Sequence, residues 1–268
     1  MLIKATTLKG YRLQARDGEI GRVKEFYFDD RHWTVRYLVV DTGNWLPARQ
    51  VLISPHALGS VMSKEKSIAV DLTKKQIEDS PSLAHDKPVS RQFEEAYYGY
   101  YGHPLYWSGS YMWGASYSIV HAEEEAKKFA PVTEEKEWDA NLRSTQEVNG
   151  YDIEAADGSI GHVEDFIIDD ETWAIRYLVV DTVNWWPGKK VLVATRWIER
   201  VSWDASKVFI NLPRESIKQT LEFKEELLLT RDDEIRLHER CKRQGYWVDE
   251  SIGNAASTTK QIFKDSNG

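Results

Sequence analysis

The sequence has little cysteine and no long apolar run, and both absences exclude whole classes of protein. Cys241 is the single cysteine among 268 residues, which excludes an internal disulfide and a thiolate cage for a metal. No window approaches a stretch of about 18 apolar residues, so no membrane-spanning helix is expected. The first residues also lack the apolar segment of a signal peptide. We therefore expect a cytoplasmic protein.

The sequence has fewer basic than acidic residues. With 35 Lys and Arg against 43 Asp and Glu, the formal net charge is −8. Because phosphate backbones favour basic surfaces, we expect no direct nucleic-acid partner. The 7 histidines form no metal-binding motif, and no phosphate-binding loop or nucleophile elbow occurs. We accordingly expect no metal, no cofactor and no enzymatic activity.

What the sequence does contain is a large internal repeat. Residues 29–47 read DDRHWTVRYLVVDTGNWLP, and residues 169–187 read DDETWAIRYLVVDTVNWWP, 140 positions later. The alignment of the two copies needs no gap from Gly10 to Trp107. A repeat of this length indicates two copies of one structural unit. We expect the copies to form an internal pseudo-dimer, and the sequence is also compatible with a higher oligomer.

Each copy has the pattern of several short strands joined by tight turns. Asp17-Gly18 is a strong hairpin signal, and Gly21 interrupts the next strand, which indicates a bulge or a close backbone approach. The run Val35–Thr42 is apolar on both faces, as in a strand covered on both sides. Five or six strands in so short a segment favour closure. We predict a mainly β fold with flanking helices, built as two small antiparallel β-barrels from an internal duplication.

Domain boundaries follow from the repeat and from the segments that it leaves out. Ser90 is the predicted N-cap of a helix over Arg91–Tyr101, and Thr230 that of a helix over Arg231–Arg243. The predicted parts are the first barrel (1–80), a helix with an aromatic and charged linker (81–141), the second barrel (142–220), a second helix (221–250) and a mobile tail (251–268).

Two motifs, each present in both copies, resemble a known family. They read G-Y-x-[LI]-x-A-x-D-G-x-I-G-x-V-x-[ED]-F-x-x-D-D and W-x-[VI]-R-Y-L-V-V-D-T. This pattern resembles the PRC-barrel domain over roughly residues 5–75 and 145–215. That family includes the cytoplasmic domain of the photosynthetic reaction centre H subunit and the C-terminal domain of a ribosome-maturation factor. The resemblance implies a small antiparallel barrel that mainly binds proteins, and it implies no catalytic motif.

Several charged residues of the repeat have two interpretations. Arg36 and Arg176 lie inside apolar strands, where we expect a structural ion pair with a carboxylate of the same copy rather than an anion site. Cys241 is either a buried helix thiol, which we favour, or a thiol activated by neighbouring basic residues. Paired carboxylates either bind a divalent cation or, as we favour, make turns; they are Asp29, Asp30, Asp41, Asp169, Asp170 and Asp181.

Aromatic residues on loops are the candidate partner-binding sites. Large aromatic side chains often anchor interfaces, although they also pack inside a protein. The first helix is predicted to have one aromatic face, of Phe93, Tyr97, Tyr100 and Tyr101. The aromatic stretch Tyr97–Tyr117 has the same two interpretations, packing between the barrels or a binding platform for a partner. The candidate residues are Trp45, Trp185, Trp186, Tyr111 and Trp113.

The function predicted from these features is that of a non-catalytic, cytoplasmic protein-interaction or adaptor module with an unidentified protein partner. The alternative is an accessory or assembly factor that docks at a photosynthetic or respiratory electron-transport complex. Peripheral docking at a membrane is compatible with that alternative.

Overall fold

The computed structural model describes most of both copies. The described residues are 1–47, 49–81, 89–105, 141–182, 188–220, 222–223 and 229–248. The chain divides into two compact units, one of Met1–Gly150 with Glu164–Leu178 and one of Tyr151–Val163 with Val179–Gly268. A hairpin tip from the second copy therefore belongs to the first unit. Among the described residues, no helix has the length and apolar character needed to cross a membrane.

The described residues form fourteen strands, seven from each copy. The first copy contributes β1 (Leu2–Lys4), β2 (Arg12–Ala15), β3 (Gly18–Asp29), β4 (Thr34–Asp41), β5 (Val51–Ile53), β6 (Leu58–Met62) and β7 (Ser67–Val70). The second contributes β8 (Leu142–Ser144), β9 (Asp152–Ala155), β10 (Gly158–Asp169), β11 (Ile175–Asp181), β12 (Lys190–Ala194), β13 (Ile198–Ser202) and β14 (Lys207–Ile210). The same elements thus recur at the spacing of the repeat.

Short helices flank the strands. They are α1 (Ala5–Leu8), α2 (Lys74–Glu78), α3 (Arg91–Tyr101), α4 (Thr145–Val148), α5 (Arg214–Lys218) and α6 (Arg231–Arg240). The Ser90 side chain accepts a hydrogen bond from the Phe93 amide, and Gly102 ends α3 in the left-handed conformation. Thr230 and Asp233 form a capping box at the start of α6. Both predicted N-caps are confirmed, although α6 ends before the predicted Arg243.

Each copy forms a sheet with the same strand order. The order is β5-β4-β3-β2-β7-β6 in the first sheet and β12-β11-β10-β9-β14-β13 in the second. The predicted mainly β fold with flanking helices is confirmed. One pair in each sheet is parallel, β2 with β7 and β9 with β14, where the sequence predicts antiparallel neighbours. The strands between the members of each parallel pair supply the crossover that a parallel pair requires.

The two edge strands of the first sheet, β5 and β6, are connected by a turn and do not form a hydrogen-bonded ladder with each other. The 3-10 helix Pro55–Ala57 follows Ser54, whose side chain accepts a hydrogen bond from the His56 amide. Because proline has no N–H group, it cannot continue the hydrogen bonding of β5. In the described residues, the strand path remains open between its two edges, and it does so in the second copy too, where Thr195 takes the place of Pro55.

Gly21 lies at a bulge where two strands come unusually close. Its φ is +142°, and the register between β2 and β3 shifts beside it. A Cβ atom built on Gly21 would lie 2.2 Å from the carbonyl oxygen of Asp41. Gly161 repeats this geometry, with the Asp181 oxygen at 1.8 Å. Only glycine fits such a position, so the bulge predicted from the sequence is confirmed.

We expect Gly21→Ala to lower the free energy of unfolding by about 2–3 kcal/mol, because the new methyl group meets the backbone and the φ is unfavourable. Gly10→Ala is the matched control, because Gly10 has φ +83° but nothing within 4 Å of an added Cβ. Its cost is strain alone, about 1 kcal/mol. Urea denaturation followed by circular dichroism measures both. Equal losses of stability in Gly21→Ala and Gly10→Ala would show that the close approach of Gly21 to Asp41 does not cause the destabilisation.

The two copies exchange their first strands within the first unit. The strand β8 of the second copy pairs antiparallel with β3 of the first and places Leu142 opposite Asp29. Reciprocally, β1 of the first copy pairs with β10 of the second and places Leu2 opposite Asp169. The two registers are equivalent, because Leu2 and Leu142 are counterparts in the repeat, as are Asp29 and Asp169. Each copy therefore covers a sheet edge of the other, and an uncovered edge would be open to unwanted pairing.

The hairpin tips of the two copies meet at a symmetric contact in the same unit. Thr34 forms an antiparallel bridge with Ala174, which is its own counterpart in the repeat. A contact between a residue and its counterpart is typical of a two-fold axis. Two main-chain hydrogen bonds flank the bridge, from the Val35 amide to the Trp173 carbonyl (2.9 Å) and from the Ile175 amide to the Trp33 carbonyl (2.6 Å). The first unit thus contains a pseudo-two-fold contact between copies.

Aromatic side chains from both copies share one core beside this contact. Phe28 stacks on Trp33 with ring centroids 5.3 Å apart. Its ring also lies 5.8 Å from that of Phe166, a residue of the second copy. Phe28 is 0% exposed and Phe166 is 2% exposed. Because aromatic rings bury large areas, the apolar burial that stabilises the first sheet depends in part on the second copy.

Candidate interaction surface

The loop between β4 and β5 carries Trp45, a candidate partner-binding residue. The loop is shaped locally, because Asp41 accepts a hydrogen bond from the Gly43 amide at 3.0 Å. The Trp45 amide donates to the Thr42 carbonyl at 3.2 Å, and the Thr42 hydroxyl donates to the Leu46 carbonyl at 3.3 Å. The other candidates lie outside the described residues: Trp185, Trp186, Tyr111 and Trp113.

Arg49 fastens this loop to the end of α2. Its guanidinium donates to the Ile77 carbonyl at 3.2 Å and to the Ser80 hydroxyl at 2.8 Å. It also donates to the carbonyl groups of Glu78 and Ser80. The last carbonyl groups of a helix lack partners inside the helix and carry partial negative charge, so a cation stabilises them. Arg49 therefore couples the position of the loop to that of α2.

The Trp45 side chain is half-buried. The Lys74 ammonium group lies 4.8 Å from the centre of its ring, which is the geometry of a cation–π contact. The Lys74 amide is held in turn by the Asp17 carboxylate at 2.8 Å. The indole is thus supported by α2 while part of it faces solvent. A half-buried ring is compatible with packing and with partner binding, so the role of Trp45 stays a prediction.

A depression of about 300 Å³ lies beside this loop. Asp41, Leu46 and Arg49 line it from the loop side, and Lys24 lines it from β3. Groups of both charge signs at the rim are able to hydrogen-bond a partner's side chains or main chain. We call Trp45, Lys74 and this depression the candidate interaction surface.

The carboxylates at the hairpin tips act as turn residues. Asp29 accepts a hydrogen bond from the Arg31 amide at 2.8 Å, and Asp169 accepts one from the Glu171 amide at 3.1 Å. Such bonds to the following backbone are what stabilises an Asp turn. The turn interpretation of Asp29 and Asp169 is confirmed. Within the described ranges, no group of three or more potential metal ligands comes together.

Asp29 also forms the predicted ion pair with Arg36. The Arg36 guanidinium lies 3.1 Å from Asp29, and the two side chains are 1% and 6% exposed. Burial raises the pKa of Asp29, but the His32 hydrogen bond and the Arg36 charge outweigh it and hold the pKa below its ordinary value. Arg176 and Asp169 form the equivalent pair at 2.9 Å. The predicted structural ion pairs are confirmed in both copies.

The helix α3 packs on the sheet of its own copy. The Tyr97 hydroxyl donates to the Leu52 carbonyl and accepts from the Ser54 amide, both at 3.0 Å. On the neighbouring turn of the helix, Glu94 is fully buried and accepts a hydrogen bond from the Tyr37 hydroxyl at 3.0 Å. The sequence pattern did not single out Glu94. The available signal was the repeat itself, because a glutamate recurs at the equivalent position of the second copy, Glu234, which is also buried.

The aromatic face predicted for α3 is confirmed for three of its four members, because Phe93, Tyr97 and Tyr101 pack in or against one hydrophobic cluster. Tyr98, which the predicted face omits, is fully buried, whereas Tyr100, which it includes, is 43% exposed. Tyr97 bonds to Leu52 of the first copy, and Tyr97 and Tyr98 share a hydrophobic cluster with Leu142 of the second copy, so the choice between packing and partner binding stays a prediction. Tyrosines at four of the five positions 97–101 do not determine which of them faces the sheet. The buried bond from Tyr37 to Glu94 selects the observed rotation.

In the second unit, α6 buries a histidine at the position that Tyr98 has in α3. His238 is 2% exposed, and its ring makes edge contacts with Trp197 at 5.2 Å and Trp247 at 5.1 Å. Burial lowers the pKa of His238 to about 4, against an opposing hydrogen bond to the backbone of Gln244. The imidazole is therefore neutral at physiological pH.

We expect this histidine to make the protein less stable in acid. The unfolded chain protonates His238 near the ordinary histidine pKa of 6.5, and the folded chain only at about 4, so stability is lost as the pH falls through this range. The contribution of His238 between pH 7 and pH 5 is about 2 kcal/mol. Urea denaturation at each pH measures it. His238→Tyr should reduce this pH dependence, and the remainder should come in part from His56, whose pKa burial also lowers to about 4. An unchanged slope in His238→Tyr would contradict the assignment.

Cys241 follows α6 and is buried. Burial raises the pKa of its thiol to about 11, although the charge of Arg243 acts in the opposite direction. A thiol with so high a pKa is protonated at neutral pH and is a poor nucleophile. The interpretation of Cys241 as a buried helix thiol is confirmed.

Comparison with known proteins agrees with the duplicated architecture. The family model of the PRC-barrel domain matches residues 1–77 and, a second time, residues 143–217. Each match contains the seven strands of one copy almost entirely, and together the matches cover more than half of the chain. No curated protein matches the sequence. With two matched copies that form two sheets of the same strand order, the chain belongs to the PRC-barrel domain family as a tandem member.

Proposed function

We propose that this protein is a non-catalytic protein-interaction or adaptor module that acts in the cytoplasm and contacts a protein partner through the candidate interaction surface. The observation that carries the proposal is the placement of Trp45. Its half-buried indole contacts Lys74 of α2, and the loop that carries it is fastened to α2 by Arg49. A supported aromatic ring loses little conformational entropy on binding, which is why such residues often dominate interface energies. Membership in a family that mainly binds proteins supports the same function.

A second candidate is an accessory or assembly factor that docks peripherally at a photosynthetic or respiratory electron-transport complex. The observation that favours it is the presence of two PRC-barrel domains, since the family includes the cytoplasmic domain of the reaction-centre H subunit. The two candidates differ in the partner and share the surface. Identification of the partner therefore separates them.

The test is affinity capture from a native lysate with three baits, the wild-type chain, Trp45→Ala and Met62→Ala. Met62 is a suitable control because it is an apolar residue on β6 that is 36% exposed. We expect Trp45→Ala to reduce capture of the principal partner about 10-fold or more, as truncation of an interface anchor does. Met62→Ala should retain it. Equal melting temperatures of the baits establish that the loss is not due to unfolding.

The identity of the captured protein decides between the candidates. Subunits of a membrane electron-transport complex would support the accessory role, and soluble partners would support the adaptor role. Capture that is equal for all three baits would show that Trp45 does not contact the partner. No capture above background, together with saturable turnover of a small molecule, would contradict both candidates.

A further inference from the structure

A cavity of about 520 Å³ lies in the first unit where the exchanged strand β8 runs beside β3. Its walls come from both copies, Glu25 and Tyr27 from the first and Leu142, Ser144 and Glu147 from the second. Cavities of this volume are typical of sites for small molecules. The cavity is separate from the candidate interaction surface, because the two share no lining residue.

The charge inside this cavity is negative. Glu25 is only 3% exposed, and its carboxylate accepts a hydrogen bond from the Ser144 hydroxyl. Glu147 is exposed and contributes a second carboxylate at the rim. Among the described residues that line the cavity, Arg143 is the one cation, and it lies 3.5 Å from the carboxylate of Asp30, which offsets its charge. A buried carboxylate is costly to desolvate, so a cation that enters the cavity is favoured electrostatically.

The remaining walls are aromatic and apolar. Tyr27, Val89 and Leu142 are buried members of one hydrophobic cluster and also line the cavity. Burial raises the pKa of Tyr27, and the negative charges of Glu25 and Glu147 raise it further, against a hydrogen bond from Gln50. Both carboxylates therefore lie close enough to the ring to act on it. The result is a phenol ring beside two carboxylates and an aliphatic wall.

We propose that this cavity is a binding site for a small organic cation, namely an alkylammonium group with a short apolar chain. The ammonium group is held between the carboxylates of Glu25 and Glu147 by charge-assisted hydrogen bonds. The ring of Tyr27 adds a cation–π contact, and the alkyl chain lies against Val89 and Leu142. Each part of the ligand thus meets a wall of matching chemistry.

The equivalent position in the second copy has different chemistry, although it lies in the same unit. Asp165 replaces Glu25, and its carboxylate accepts hydrogen bonds from the Thr6 amide at 3.2 Å, the Thr6 hydroxyl and the Phe166 amide at 2.8 Å. Lys4 stands where the first copy's site has Ser144, and its charge acts on Asp165. The protein itself therefore already satisfies this carboxylate, which makes Asp165 a matched control for Glu25.

The test is calorimetric titration of the full chain at neutral pH with butylamine, which is then protonated, and with 1-butanol and butyrate as neutral and anionic analogues of the same chain length. We expect saturable binding of butylamine with a Kd in the high-micromolar to millimolar range. We expect no saturable binding of 1-butanol or butyrate. Failure of butylamine to saturate would overturn the proposal. Equal binding of 1-butanol would also overturn it, because the recognition would then be apolar alone.

Three variants locate the binding site. Glu25→Gln should weaken butylamine binding by more than about 10-fold, and Glu147→Gln by about 3- to 10-fold, because each removes one charge-assisted bond. Asp165→Asn should leave the affinity within about 2-fold of wild type, because its carboxylate is satisfied within the protein. Glu147 is exposed, so its variant tests the site even where Glu25→Gln lowers stability. Unchanged affinity in Glu147→Gln and Glu25→Gln would place the ligand elsewhere and overturn the assignment.

Discussion

Phe166→Ala, a substitution in the second copy, is expected to destabilise the sheet of the first copy by about 3–5 kcal/mol, the usual cost of removing a buried phenylalanine side chain. The Phe166 ring is 2% exposed and lies 5.8 Å from the ring of Phe28 on β3. Its removal leaves a cavity beside Phe28 and withdraws a contact through which β10 supports the sheet of the first copy. The damage should therefore appear in a sheet that is distant in sequence from the substitution.

Native-state hydrogen exchange of the amides in β3 and β4 measures this effect. We expect their protection to fall by the same free energy as the global stability obtained from urea denaturation. Phe209→Ala is the control, because Phe209 is only half-buried and packs beneath the Arg200 guanidinium at 3.6 Å. Full protection of β3 in Phe166→Ala, with loss confined to strands of the second copy, would contradict a shared core.

Arg36→Ala is expected to lower stability by about 3–5 kcal/mol, because it leaves the Asp29 carboxylate buried without its compensating charge. Arg36 is 1% exposed, so the substitution also creates a cavity in the apolar strand β4. The loss should shrink in acid, because the carboxylate then becomes protonated and no longer needs a counter-charge. Capture of a protein partner through Trp45 should persist at temperatures where the variant is folded.

Urea denaturation of Arg36→Ala at neutral and acidic pH measures both expectations. Arg176→Ala is the matched control in the second copy. The side chains of Arg176 and Asp169 are 10% and 14% exposed, so water reaches this pair more readily than the buried Arg36 pair and the loss should be smaller. An Arg36→Ala protein with the wild-type melting temperature but no partner binding would reverse the assignment and make Arg36 a binding residue.

Features that depend on residues close in sequence were predicted correctly. The bulge at Gly21 follows from a glycine that interrupts strand alternation, and the Arg36 ion pair follows from a charge inside an apolar strand with carboxylates nearby. The caps at Ser90 and Thr230 are likewise local signals. In each case one side chain or one missing side chain has few physically acceptable environments, so the sequence alone is informative.

Features that depend on which segments meet were not predicted. The strands β1 and β8 have three residues each, too few for a periodic pattern, and nothing in them identifies the other copy as their partner. The cavity beside Glu25 exists only because β8 pairs with β3, so no local motif marks it. Tyr98 was missed for a related reason, because the rotation of α3 is set by a hydrogen bond from Tyr37 on a distant strand.

The exchange of first strands also constrains the order in which the protein is made and folded. During synthesis, β3 emerges long before β8, and β1 emerges before β10, so neither copy is able to finish its sheet from its own residues. Pairings between residues so distant in sequence close slowly, since the entropy of a long loop is lost before the contact forms. The cover that Phe166 and β8 give to β3 around Phe28 is therefore missing on the ribosome until the second copy appears. Such an interval is one in which chaperones bind and aggregation competes with folding.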